Sequence, residues 1–247
     1  KWLERFRQGS DAGLVDLPRR PRYSPFRTPA HLEQVVLSAR KAHPAWGARK
    51  LRRWLVDRKD VLEADMPAPS TITAILRRNG RIDPAEGTKH RSWHRFEHQA
   101  PNDLWQMDFK GHFPLAQGRC HPLTVLDDHS RFALGLQACA DELTVTVQER
   151  LTAIFQRYGL PERMLMDNGP PWGFDQDHPY TTLTGWLLGL GISVSHGRPY
   201  HPQTQGKDER FHRTIAAEVL QGRSFTDLAH CQKAFDHWRD IYNLERP

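Results

Sequence analysis

The chain has 247 residues, 38% of them hydrophobic and 26% charged, and a formal net charge of +6. Its length allows two domains, one with a substantial core, and a mean hydropathy of −0.69, without an apolar run near the ~20 residues that span a bilayer, reads as a soluble protein with no membrane partner. Three scattered cysteines (Cys120, Cys139, Cys231) exclude a C-x-x-C zinc site and, with no signal-peptide pattern at Lys1, fit a reducing cytoplasm.

Charge is divided unevenly. Residues 1–98 hold 21 Lys and Arg against 11 Asp and Glu, whereas residues 99–247 hold 14 against 18. A basic front attached to an acidic back suggests that the first holds a phosphate backbone and the second does chemistry on it.

Residues 1–29 read as a terminal helix, with Trp2, Leu3 and Phe6 on one face and a stop at Gly9, followed by a proline-rich extended linker. Arg19, Arg20 and Arg22 in that linker suit DNA phosphates, although a plain solvated tether fits the same composition. Residues 30–82 carry three helical segments, HLEQVVLSARKA, GARKLRRWLVDR and STITAILRRNG. Leu51, Trp54 and Leu55 fall at i, i+3, i+4, and Ile72, Ile75 and Leu76 repeat the spacing, so both helices have a buried face. Ser70 is the expected N-cap of the last helix and Gly80 its stop. The opposite face shows Thr73, Arg77 and Arg78, residues suited to base edges and phosphates, so the segment reads as the recognition helix of a helix-turn-helix-like domain. About twelve residues join the second and third helices, where a tight helix-turn-helix uses roughly three or four. An insertion or small wing is implied. Residues 83–100 form a basic linker, in which His90, His94 and His98 recur every fourth residue among arginines and read as part of a linker helix rather than a transition-metal site.

Residues 101–247 turn to alternating strands and helices. In Trp105–Phe109 the apolar residues alternate, which sends Trp105, Met107 and Phe109 to one face and Asp108 to the other. LTVLDD and RFALGLQA read as the next two strands, with Asp127 and Asp128 as turn formers. A helix over 144–158 leads to a strand over 163–166 that ends in Asp167-Asn168-Gly169. A helix near 183–190, a strand over 192–195 and a final helix bearing Phe211, Ile215 and Val219 complete the pattern. Glu209 lies about 200° around that helix from Phe211, off the buried stripe. Asp108, Asp167 and Glu209 thus sit on separate elements that folding could bring together. Hard divalent cations need such oxygen ligands, and two ions roughly 3.5–4 Å apart can clamp both oxygens of a phosphodiester.

The three acidic segments, WQMDFKG, MLMDNG and HPQTQGKDERFHRT, resemble the signatures of bacterial insertion-sequence DDE transposases with a retroviral-integrase-type core. LDDHSRF, YGLPERMLMDNG and YNLERP follow in the family's order. One departure is the spacing from Asp167 to Glu209, which leaves 41 residues between them and predicts an extra loop near Trp172 to Tyr180. The resemblance implies a ribonuclease H-like mixed α/β sheet with flanking helices, preceded by the all-α helix-turn-helix-like domain. It implies Asp108, Asp167 and Glu209 as catalytic and metal-binding acids, two Mg²⁺ or Mn²⁺ ions, and Lys207, Arg210 and Arg213 as contacts to double-stranded DNA. The expected reaction is cleavage at transposon ends followed by attack of the freed 3′-hydroxyl on target DNA, by a homo-oligomer in the cytoplasm, associated with the nucleoid. It also leads us to expect upstream helices before Lys1 and a further portion after Pro247. Two other readings stay open: a ribonuclease H-like nuclease that never rejoins strands, with Glu142 or Glu149 as an added acid, and a DNA-binding regulator with an inactive core.

Overall fold

The computed structural model describes residues 1–16, 27–82, 98–173, 180–197 and 206–246. The chain divides into two compact units, Lys1–Val35 and Val36–Pro247. In the first, α1 (Trp2–Gly9) leads into a 3₁₀ turn at Ser10–Leu14. The apolar face expected on α1 is present but exposed: Trp2, Leu3 and Phe6 are all accessible, and Arg5 stacks on the Trp2 ring at 4.6 Å. Arg19, Arg20 and Arg22 lie outside the described residues.

Helix α2 (Ala30–Ala42) crosses the boundary between the units. In the second unit, α3 (Ala48–Asp57) packs on α4 (Pro69–Arg78) through the anticipated stripes: Leu51 and Leu55 face Ile72, Ile75 and Leu76, all buried. The cap of α4 differs from expectation. Pro69 is the first helical residue and Ala68 the cap, without a side-chain hydrogen bond, because proline's fixed φ suits the first turn and moves the cap back from Ser70 to Ala68. The other end behaves as read: Gly80 takes φ +64°, and the amides of Gly80 and Arg81 return to the carbonyls of Arg77 and Leu76. The long α3–α4 connector is a series of turns without a strand, anchored by buried Val61 and Met66.

The core sheet is built from β1 (Trp105–Phe109), β3 (Arg119–Asp127), β4 (Ala133–Cys139), β5 (Arg163–Met166) and β6 (Ser193–His196), with β2 (Phe113–Pro114) as a short hairpin arm on β3. Spatial order is β4-β3-β1-β5-β6. Strands β1, β5 and β6 are parallel, while β3 is antiparallel to both β1 and β4. Helices α5 (Thr144–Tyr158) and α6 (Thr182–Gly189) cover one face through Val147, Leu151, Leu183 and Leu187, packed on Trp105, Met107, Leu123, Val125, Met164 and Met166. Helices α7 (Gly206–Ile215) and α8 (Leu228–Asp240) cover the other through Phe211, Ile215, Phe235 and Trp238, packed on Leu126, Leu136 and Ala138. The period-2 alternation of β1 is realised: its odd-numbered residues enter the first core, and Gln106 and Asp108 turn toward α7. This order, with its single antiparallel excursion β1–β3–β4 before the parallel strands, is a ribonuclease H-like fold.

Candidate active site

The acids gather where β1 separates the antiparallel from the parallel half of the sheet. Open α/β sheets bind ligands at the carboxyl ends of their parallel strands, at the point where strand order reverses. Asp108 sits near that end of β1, and Asp167 is the first residue past β5. The parallel register pairs Trp105 with Met164 and Gln106 with Leu165. Two residues further along each chain, Asp108 and Asp167 stand level on adjacent strands and on one face, which strand spacing puts about 5 Å apart at the backbone. Their proximity has an electrostatic consequence. Burial, then the charges of Asp167 and Glu142, push the Asp108 carboxyl up to about 7, against a lowering by the Phe109 amide.

Each acid is held by its surroundings. The Asp167 carboxylate accepts the Asn168 amide at 2.7 Å, and its backbone carbonyl meets His196 Nδ1 at 2.8 Å. Asn168 Nδ2 donates to the Gly197 carbonyl, tying the turn after β5 to the end of β6. Gly173 closes this turn; a Cβ there would stand 2.7 Å from the Asn168 carbonyl oxygen. On the α7 side, Thr124 donates its hydroxyl to the Asp108 carbonyl and therefore accepts from His212 Nε2 at 2.8 Å. That network fixes the proton on Nε2 and aims the bare Nδ1 at Asp108 Oδ2, 3.9 Å away. The contact has the form of an ion pair but not its charges, since burial and Lys110 hold the imidazole down to about 4. His212 is a buttress between sheet and helix.

Glu209 lies exposed in the first turn of α7, as its position off the buried stripe implies. Its neighbour Asp208 is the buried acid of this helix, only 1% exposed, and among the described residues its Oδ1 has no hydrogen-bond partner. Burial and then the charges of Asp108 and Asp128 push it well above the ordinary carboxylate range, against Lys207. The helical arithmetic that set Glu209 apart contains this result: Asp208 is three residues before Phe211 and seven before Ile215, on the buried stripe. An aspartate there reads as a polar residue near a helix start, which concealed it.

Lys207, expected on DNA, is instead an internal cation. Its ammonium is bonded to the buried carboxylate of Asp128 and to that residue's carbonyl. Asp128 also accepts from Gln106 Nε2 and from the His98 amide. Asp127 accepts from the Asn102 amide and from both the amide and hydroxyl of Ser130. The two aspartates are structural, in keeping with their reading as turn formers. Arg210 and Arg213 are exposed on α7, and Arg77 and Arg78 on α4. The Thr73 hydroxyl is bonded back to the Pro69 carbonyl. His90 and His94 lie outside the described residues, as do 174–179 of the extra loop. The loop's root is not a protrusion, because Trp172 is buried and stacks on Phe109 at 5.4 Å. Trp172→Ala should lower stability by about 3–5 kcal/mol through the cavity it leaves, measured by urea unfolding.

The chemistry of the pair suits a divalent cation: two adjacent aspartates that repel each other offer oxygen rather than thiolate, the donor that hard cations select. Among the described residues, no three His, Cys, Asp or Glu side chains are grouped closely enough to hold an ion. The pair Asp108–Asp167 is brought together; an α7 acid is not grouped with it.

The strand order and the paired aspartates at the β1–β5 edge define a ribonuclease H-like core with an acidic centre. Residues 98–247 carry an integrase core domain: two models so described match residues 98–202 and 190–247, and a homeodomain-like domain matches residues 1–76. An insertion element IS476 protein of 39.2 kDa from Xanthomonas euvesicatoria is 25% identical over 239 residues, covering 92% of this chain and 64% of that one. An insertion element IS407 protein of 31.7 kDa from Burkholderia multivorans is 26% identical over 148 residues, 60% of this chain and 51% of that one. The chain thus spans between half and two thirds of the length of these relatives. Among solved structures, the HTLV-2 integrase catalytic core in complex with magnesium aligns with a TM-score of 0.43 at 15% identity, over 58% of this chain and 86% of that one. Among the described residues, no helix is long and apolar enough to cross a membrane.

Proposed function

We propose that this chain is a DNA transposase that cleaves transposon ends and joins the freed 3′-hydroxyl to target DNA. The observation that carries the reading is the level pairing of Asp108 with Asp167 at the carboxyl edge of an integrase-type sheet, with a carboxyl pushed up to about 7 between them. Asp108, Asp167 and Glu209 are the acids proposed to hold Mg²⁺ or Mn²⁺. When bound, two such ions would activate the attacking oxygen and neutralise charge on the leaving one.

The chain's own groups do the rest. His196 and Asn168 hold the turn that carries Asp167, Thr124 and His212 fix the backbone of Asp108, and the exposed Arg210 and Arg213 on α7 are the proposed phosphate contacts. Cysteine nucleophiles are not needed: all three thiols are buried, and burial pushes Cys139 up to about 11. DNA recognition is assigned to Arg77 and Arg78 on α4, with the linker arginines Arg19, Arg20 and Arg22 on the backbone. Double-stranded DNA at terminal repeats and at the target is the proposed substrate, and a homo-oligomer the working form.

The test is an assay with labelled element ends in Mg²⁺ or Mn²⁺, scored for both nicking and joining. Glu209→Gln should abolish both while leaving end binding nearly intact; joining at the level of the unaltered protein would overturn its assignment. Arg77→Ala with Arg78→Ala should weaken end binding by about 1–3 kcal/mol and flatten its salt dependence, read by gel shift at fixed and varied salt. One observation favours a second reading. Glu142 bears on the Asp108 charge and meets His121 Nδ1 at 2.8 Å, so a fourth acid borders the site, as a purely hydrolytic enzyme would use. Nicking without joining would select it.

A further inference from the structure

Two sequence segments, LDDHSRF (residues 126–132) and YNLERP (from Tyr242), have no role in the proposed reaction, yet they meet around one helix. LDDHSRF runs from the end of β3 through the turn to β4 and grips the start of α7: the Lys207 ammonium is bonded to the carboxylate and to the carbonyl of Asp128. The same turn is tied to YNLERP where β4 begins. Asn243 accepts the Ala133 amide at 2.8 Å and donates to the Ala133 carbonyl at 3.1 Å, so one side-chain amide stands in for a neighbouring strand. YNLERP then returns to α7. The Tyr242 ring meets buried Phe211 edge-on at 4.9 Å, and Trp238 lies against both rings. Arg246 stacks over Tyr242 at 5.0 Å, donates to the Thr214 hydroxyl at 3.4 Å and faces Glu218 at 3.6 Å, on the π-turn Ala216–Leu220 that continues α7. The Trp238 indole holds Glu218 from the other side at 2.9 Å. These contacts close a ring from the β3–β4 turn through YNLERP to α7 and back. Exposed Glu209 stands between the two grips, two residues after Lys207 and two before Phe211.

We propose that Tyr242, Asn243 and Arg246 are positioning residues, which with Asp128 set the place and rotation of α7 and so where Glu209 is presented to the substrate. The inference rests on the reading of Glu209 as a catalytic acid. Its physical basis is that a helix of 10 residues does not hold itself in water, so its bearing is set by tertiary contacts. The Phe211 ring seated between Tyr242 and Trp238 fixes rotation, and the Lys207 and Arg246 bonds, one near each end, fix axial shift. A displacement of about 1 Å at a reacting group costs on the order of 10²-fold in rate. Asn243 bonds to β4, so its effect on the reaction travels through its neighbours Tyr242 and Arg246.

The experiment uses the whole chain and labelled element ends, for the unaltered protein, Asn243→Ala, Asn243→Asp, Tyr242→Ala, Tyr242→Phe, Arg246→Ala and Glu209→Gln. Hydrogen exchange of the α7 amides, end binding by gel shift and the nicking rate at saturating DNA are measured for each. Circular dichroism establishes that each is folded at the assay temperature. Asn243→Asp, which keeps the volume and loses the donor to the Ala133 carbonyl, serves where an alanine variant is not folded. The alanine variants are expected to speed exchange over residues 207–215 about tenfold while the amides of β1 and β5 keep their protection. They should slow nicking about 10- to 100-fold and leave end binding within about twofold. Tyr242→Phe, which keeps the ring, should restore both exchange and rate. Unchanged α7 exchange in the folded variants, faster exchange with an unchanged nicking rate, or a rate loss that Tyr242→Phe shares in full overturns the inference. Loss of nicking in Glu209→Gln alongside unchanged α7 exchange in the others leaves the assignment of Glu209 intact. Nicking at the unaltered rate in Glu209→Gln overturns that assignment, and this inference with it.

Discussion

Asp108→Asn should abolish nicking and joining, by on the order of 10³-fold or more if several kcal/mol of charge stabilisation depend on it, and yet make the metal-free protein more stable at pH 8. The sign follows from the raised carboxyl. Folding lifts Asp108 from 3.8 to about 7, so between those values the folded state keeps a proton that the unfolded chain has released. Stability falls as pH rises through that window, because stability increases with pH only where the unfolded state binds more protons. At 1.36 kcal/mol per pKa unit the full effect is at most about 4 kcal/mol, and we expect about 1–3 kcal/mol for the substitution. Urea unfolding in EDTA at pH 4, 6 and 8 measures it. The asparagine variant should gain on the unaltered protein between about pH 4 and 7 and level off above that; a variant less stable than the unaltered protein at pH 8 would contradict the assigned burial and repulsion.

Lys207→Met should destabilise the fold by about 3–5 kcal/mol, since removing one partner of a buried pair leaves the other uncompensated. Its ammonium is bonded to an Asp128 carboxylate that is fully buried, and that carboxylate also fixes Gln106 and the His98 amide. Had Lys207 been an exposed phosphate contact, the same change would barely alter unfolding and would instead reduce the salt slope of DNA binding. Lys207→Met with Asp128→Asn should be milder than Lys207→Met alone, because the stranded charge goes with its partner. Equilibrium unfolding of both variants separates the two roles, and an Asp128 pairing of no consequence would leave Lys207→Met within about 0.5 kcal/mol of the unaltered chain, the usual range for surface substitutions.

What the sequence determined by itself is what short-range periodicity encodes. Alternation in Trp105–Phe109 assigned Asp108 to the face opposite Met107, helical spacing gave α3 and α4 their buried stripes, and Gly80 ended α4 at a positive φ; each depends on residues within one or two turns. The same local patterns put Asp167 at a strand end and Glu209 off a helix stripe. Tertiary structure decided the rest. The level pairing of Asp108 with Asp167 comes from a parallel β1–β5 register between segments more than fifty residues apart, and no local pattern encodes register across such a separation. The conversion of Lys207 from an expected phosphate contact to an internal counter-ion needed a buried Asp128 seventy-nine residues away. The orphaned oxygen of Asp208 exists only because α7 lies on β1 and removes water from it, and desolvation, the force that perturbs both Asp108 and Asp208, is a property of that packing and not of either residue's neighbours in the chain.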